Sequence, residues 1–140
     1  MDPLQALVSL LGGGLAGAAV NAFVTARKQK LDVTLSIVKD FFALYEDIGR
    51  VKGIFSLQNV RASLDDLNNR LLVRRVGDWF HYVASLSDEG SADIALLGKV
   101  GVVKETDAFR EAVLTAKREC PDYLGDAWSW WPNLKDFKPK

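Results

Sequence analysis

"LVSLLGGGLAGAAVNAFVTARKQK", Leu7–Lys30, is the stretch on which the reading of the chain turns. Its glycines spell Gly12-x-Gly14-x-x-Gly17, the spacing of a dinucleotide-binding turn, while its apolar length is that of a membrane span. A dinucleotide turn needs a β-strand before the glycines, a helix after them and an acidic residue about 20 positions on. Asp32 stands at that distance. The preceding residues Leu4–Leu11, however, contain one β-branched residue, Val8, where a buried parallel strand concentrates Val and Ile. The residues that follow carry helical spacing, so the βαβ frame is missing.

A membrane span asks for about 20 residues without a charge. Leu4–Ala26 supplies 23, bounded by Asp2 on one side and by Arg27, Lys28 and Lys30 on the other. At about 1.5 Å per residue a helix of that length is roughly 34 Å long, enough to cross a hydrocarbon core of about 30 Å. Glycine weakens a helix in water but is tolerated in lipid. A secretory signal would place its basic residues before the apolar run, whereas here they follow it. Arg27, Lys28 and Lys30 set the topology by the positive-inside rule, with the N-terminus outside and the C-terminal domain in the cytoplasm.

Within this segment Ser9, Gly13, Gly17, Asn21 and Thr25 recur every fourth residue, with Gly14, Ala18, Ala22 and Ala26 beside them. Small residues at that spacing let two helix backbones approach closely, and Asn21 can add an interhelical hydrogen bond. Association of spans is the expected consequence, as a dimer or as a ring-shaped pore.

The chain divides into a membrane segment with its basic flank, 1–30, and a helical domain, 31–140. About 110 residues suffice for one core and not for two. With 18 basic and 18 acidic residues there is no global field to recruit nucleic acid, and the single Cys120 excludes an intrachain disulfide.

From Leu31 the apolar residues Leu35, Val38, Phe41, Phe42, Tyr45, Ile48, Val51 and Phe55 follow steps of three and four. They predict one helix continuous from Leu4 to about Leu57. "SLQNVRASLDD" reads as a loop, with Ser63 capping a second helix whose buried stripe is Leu67, Leu71, Leu72, Val76, Trp79, Phe80 and Val83. Gly90 suits a positive-φ turn, and Ser91 is placed to cap a short helix over Ile94–Leu97. Gly98–Val103 reads as a connector, Thr106 and Asp107 as the start of another helix that Pro121 must follow. Trp128, Trp130 and Trp131 either close the core or sit at headgroup level. Strand signals are almost absent. The fold class is all-α, an N-terminal transmembrane helix running into a long helix and a small bundle.

One histidine, His81, follows Arg74 by seven residues and Arg75 by six. That Arg-x(6)-His or Arg-x(5)-His spacing resembles the active-site signature of the HEPN ribonucleases, which are also small helical bundles. The resemblance implies His81 as acid or base and Arg74 or Arg75 on a phosphodiester. The same residues also read as a solvated Arg pair and a partly exposed His beside the Trp79 and Phe80 core. A lone His and a lone Cys do not make a zinc set, and the neighbouring carboxylates Glu46 and Asp47, Asp65 and Asp66, Asp88 and Glu89 diverge on helices. No catalytic constellation, cofactor or metal is expected.

The uncharged span closed by "RKQK", the helix "LDVTLSIVKDFFALYEDIGRVKGIF", "RRVGDWFHYVASLSDEGSAD" and the close "WSWWPNL" together resemble a bacterial family of small single-span proteins with a cytoplasmic helical domain of unknown function. The layout is also similar to the membrane accessory proteins of RNA-targeting CRISPR systems, which form pores. These resemblances imply a membrane component of stress or antiviral defence. The partners expected are the lipid bilayer, further copies of the chain through the span, and a cytoplasmic protein.

Overall fold

In the computed structural model, which describes Pro3 and residues 13–139 apart from the side chains of 13–16, the chain begins with a helix that leaves the rest of the molecule behind. Helix α1 covers Gly13–Ala43 and α2 covers Tyr45–Ser56. The expectation of one helix as far as Leu57 is corrected at Leu44, where ψ is 1°. Leu44 N still donates to Asp40 O (2.9 Å) and Ile48 N to Leu44 O (2.8 Å), so the rod bends without separating. Register accounts for the bend. Beyond the buried Ile37 and Phe41, α2 buries Ile48, Val51 and Ile54, and each step of three falls about 60° short of a full turn. A straight rod would carry Ile54 off the core.

The nine-residue apolar face expected from Leu31 to Phe55 is also corrected. Phe41, Ile48 and Val51 are buried, whereas Leu31, Leu35, Phe42 and Tyr45 are exposed. Buried in their place are Ile37 and Thr34. The Thr34 hydroxyl donates to Lys30 O (2.7 Å) and accepts from Asp93 N (2.8 Å), pinning α1 to the loop on the far side of the bundle.

The stretch read as a loop contains a short helix, α3 (Val60–Leu64), whose cap Asn59 accepts from Ala62 N at 3.1 Å. Helix α4 (Leu67–Asp88) is capped by Asp66, which accepts from Asn68 N at 2.9 Å; Ser63 lies inside α3 instead. Leu67 and Leu71 face solvent, and the buried stripe runs through Val73, Val76, Phe80 and Val83. Gly90 takes the expected positive φ, 74°. The cap of α5 (Ile94–Lys99) is Asp93 and not Ser91, with Asp93 accepting from Leu96 N at 3.2 Å. A carboxylate two residues nearer the helix reaches the free N–H that the serine cannot. Gly98 and Lys99 belong to α5, and Gly101 at φ 93° turns the chain directly into α6 (Val102–Glu119), a turn earlier than Thr106. The reach of Val102 and Val103 into the core sets that start.

Pro121 follows α6 and opens α7 (Pro121–Leu124); α8 is Ala127–Trp130 and α9 is Pro132–Lys135. Cys120 and Trp131, each just before a proline, are fully buried and share one non-helical conformation, φ near −128° and ψ near 60°. Among the described residues there is no strand, and the domain is a helical bundle.

The core is aromatic at its centre. Phe80 stacks on Phe109 with centroids 4.9 Å apart, and Trp131 meets Phe109 at 5.6 Å. Trp131 lies directly over Gly77 on α4, so close that a Cβ there would come within 2.0 Å of the indole. Its Nε1 donates to Asp78 Oδ1 at 2.8 Å. The tail therefore closes the core, with Trp128 and Trp130 half-buried against it.

Candidate functional site

Three regions bear on function: the projecting part of α1, the Arg74 to His81 face of α4, and the clefts of the bundle. On α1 the residues from Ala18 to Asp32 are exposed on every face of the helix apart from a half-buried Val20. Phe23 is 59% exposed and Val24 56%. From Gly17 to Ala26 there is no charge, and Arg27, Lys28 and Lys30 follow as a basic collar, all exposed. The apolar side chains of this segment, with Asn21 and Thr25 among them, are left largely uncovered by the bundle. Gly13, Gly17, Asn21 and Thr25 all lie on this projecting segment; Ser9 lies outside the described residues, as does Leu4–Gly12 of the uncharged run. Among the described residues no helix is long and apolar enough to cross a membrane. Gly14 and Gly17 stand inside the helix, so the glycine fingerprint forms no nucleotide-binding turn there.

Around His81 the two arginines are engaged elsewhere. The Arg74 guanidinium lies 4.1 Å from the Trp130 ring centroid and 3.4 Å from Asp78 Oδ1, and Arg75 donates to Asp47 Oδ2 at 2.6 Å. His81 is half-buried, its Nε2 is enclosed without a hydrogen-bond partner among the described residues, and its carbonyl accepts from Ser85 Oγ at 2.8 Å. These contacts tie Arg74 to the C-terminal tail and Arg75 to α2, and none of them includes His81. Among the described residues no group of three or more His, Cys, Asp or Glu gathers to hold a metal ion.

Two arginines that sequence reading passed over engage Tyr123 and its neighbour Asp122. Arg70 stands 4.7 Å from the Tyr123 ring centroid and Arg61 pairs with Asp122. The Tyr123 hydroxyl donates to Asp65, and this bond, reinforced by desolvation, raises the phenol above its ordinary range. Together they fasten α7 to α3 and α4. Leu64, Leu71, Tyr123 and Trp130 wall a cleft of about 220 Å³ between these elements. A second cleft, about 230 Å³, is lined by Ile48, Val51, Phe55, Phe80 and Phe109, with the Lys52–Glu105 pair (2.6 Å) as its polar lining. Both fall below the usual range for small-molecule sites, roughly 300–1,000 Å³, whereas open surface clefts of about 370, 420 and 610 Å³ lie beside Asn133, beside Glu119 and between Phe23 and Ser91. Burial raises the Cys120 thiol, which keeps it protonated and unreactive.

The surface that sequence reading missed is the exposed apolar line Leu31, Leu35, Phe42 and Tyr45. A signal existed. The apolar residues of α1 cover too wide an arc for one buried stripe, because Ile37 and Phe41 lie off the line traced by Leu31, Leu35 and Phe42.

Comparison with protein-family models, with curated proteins and with solved structures finds no match.

Proposed function

We propose that this chain is a single-pass membrane protein, N-terminus outside and helical bundle in the cytoplasm, that acts by self-assembly or by binding a partner at the membrane and not by catalysis. The observation that carries the reading is the projecting half of α1, uncharged from Gly17 to Ala26, exposed from Ala18 onward apart from a half-buried Val20, and ended by a basic collar. Lipid covers such a helix all round, which a partner groove, covering one side, does not. The described part of the uncharged run, 13–26, spans roughly 21 Å at 1.5 Å per residue, and with 4–12 the run reaches the length of a bilayer core. The collar then stands at the anionic headgroups of the cytoplasmic leaflet. The engagement of Arg74 with Asp78 and Trp130 and of Arg75 with Asp47, away from His81, favours a binding role for the bundle over a chemical one.

Membrane fractionation of the full chain tests the anchor. It should resist extraction by salt and alkali and dissolve in detergent, and thiol labelling of an added N-terminal cysteine should need a broken membrane only from the cytoplasmic side. Recovery in the soluble fraction without detergent defeats the reading. RNA cleavage by the purified chain that disappears in His81→Ala defeats its non-catalytic half and favours a tethered ribonuclease.

A further inference from the structure

Helix α1, with the first residue of α2, carries a second apolar stripe that its own bundle does not use. Leu31, Leu35, Val38, Phe42 and Tyr45 follow steps of four, three, four and three, and at about 100° per residue they lie within roughly 40° of one line. Leu31, Leu35, Phe42 and Tyr45 are 48 to 65% exposed, and Val38 is partly covered. The bundle-facing residues Thr34, Ile37 and Phe41 lie about 90° round one way, and Asp32, Ser36 and Ala43 about as far round the other. Continued towards the N-terminus, the same line passes through Val24, Val20, Gly17 and Gly13, interrupted at the collar by Arg27. Alternating steps of three and four are the geometry by which one helix interlocks with another over a long contact.

We propose that this line is the contact between two copies of the chain, packed parallel, so that the protein is a two-fold dimer held from the bilayer into the cytoplasm by α1. The parallel orientation and the choice of a second copy rest on the membrane reading above; the exposed line itself does not. A second copy is the occupant because it presents the same repeat at the same height in the same leaflet. Area alone leaves the contact short and the membrane must supply the rest. Taking whole side chains of this size at about 150–250 Å², the exposed parts of Leu31, Leu35, Phe42 and Tyr45 come to roughly 400 Å² per copy. Two copies bury about 800 Å², short of the roughly 1,000 Å² a stable soluble interface needs. The deficit is made up where Gly13 and Gly17 let the backbones close in and where a shared membrane confines both copies. The collar can meet its own image because anionic headgroups lie at its level. A ring needs two different contact faces on each helix, whereas α1 has one unused stripe, flanked by its own bundle and by a polar face.

The test uses the full chain in native membranes, with one cysteine added at Leu35 or Phe42 on the line, or at Ser36 or Ala43 on the polar flank. Cys120 is buried and stays unlabelled. A short bismaleimide should give a dimer band at Leu35→Cys and Phe42→Cys at least five times stronger than at the flank positions. Equal yields at all four positions, no dimer on the line, or a ladder of trimers and larger species overturns the proposal. Leu35→Glu, at an exposed site that leaves the bundle's circular dichroism unchanged, should lower the dimer fraction at least fivefold; an unchanged fraction overturns it too. Fractionating the same samples separates the two readings, since a periodic dimer in the soluble fraction keeps the seam and defeats the anchor, while embedded monomers do the reverse.

Discussion

At the level of single residues, Gly77 and Trp131 carry the closure of the bundle. The indole occupies the space where any other residue on α4 would place its Cβ, so Gly77→Ala forces Trp131 off its seat and off its bond to Asp78. An overpacked core costs about 1–3 kcal/mol, and the variant should melt several degrees lower with the near-ultraviolet tryptophan signal altered. Adding Trp131→Phe should return part of the loss; a Gly77→Ala variant as stable as the parent would show that the tail does not close on α4. Nothing in the sequence announces this pair, since a glycine in a helix reads only as a weakness and the contact joins residues 54 positions apart. Tyr123 offers a test in alkali. Its bond to Asp65 raises the phenol in the folded state, so the stabilisation is fully present below the ordinary phenol value near 10 and is lost as pH rises through the raised one. An absorbance titration should show one of the three tyrosines ionising late, and Asp65→Ala should bring it back.

At the level of the element, α1 was legible as a helix and illegible as a surface. Steps of three and four predict its existence, but two stripes share that period, and hydrophobicity alone assigns Leu31 and Leu35 to the core ahead of Thr34. Packing reverses the choice because Thr34 can satisfy both Lys30 O and Asp93 N, which leucine cannot. The start of α4 was misplaced for a related reason. Ser63 and Asp66 are both good caps, and only the presence of α3 shows which one stands at a free helix end. For the N-terminal half of α1 the expected outcome of substitution is directional. Gly13→Leu with Gly17→Leu should push two spans apart and lower association measured by crosslinking in membranes, whereas Ala19→Leu, on the far side of the helix, should not. Equal behaviour of the two variants would remove close packing as the role of those glycines.

For the whole molecule the question is how much of α1 belongs to the bundle. The basic collar marks the boundary by charge, and division after residue 30 follows from it. The hydrogen bonds draw the boundary earlier. Thr34 donates to the carbonyl of Lys30 and accepts from Asp93 N, so a soluble chain starting at Leu31 keeps the second bond and loses the acceptor for the first. It also starts its helix in the turn that carries Thr34, where terminal residues fray. A chain covering residues 27–140 keeps Lys30 and a full turn ahead of Thr34. Both should fold, since Ile37, Phe41 and everything after them are retained, and both should show helical circular dichroism with one cooperative melt. The longer one should be more stable by about 1 kcal/mol, the net worth of a typical buried hydrogen bond. In the 27–140 chain, Thr34→Val should cost about 1–3 kcal/mol by leaving Asp93 N without an acceptor. Denaturant midpoints in that order, with unchanged slopes, would place the end of the domain at Arg27. Equal midpoints for the two chains would mean that the Lys30 turn contributes nothing to the fold and that α1 joins the bundle only from Thr34 onward.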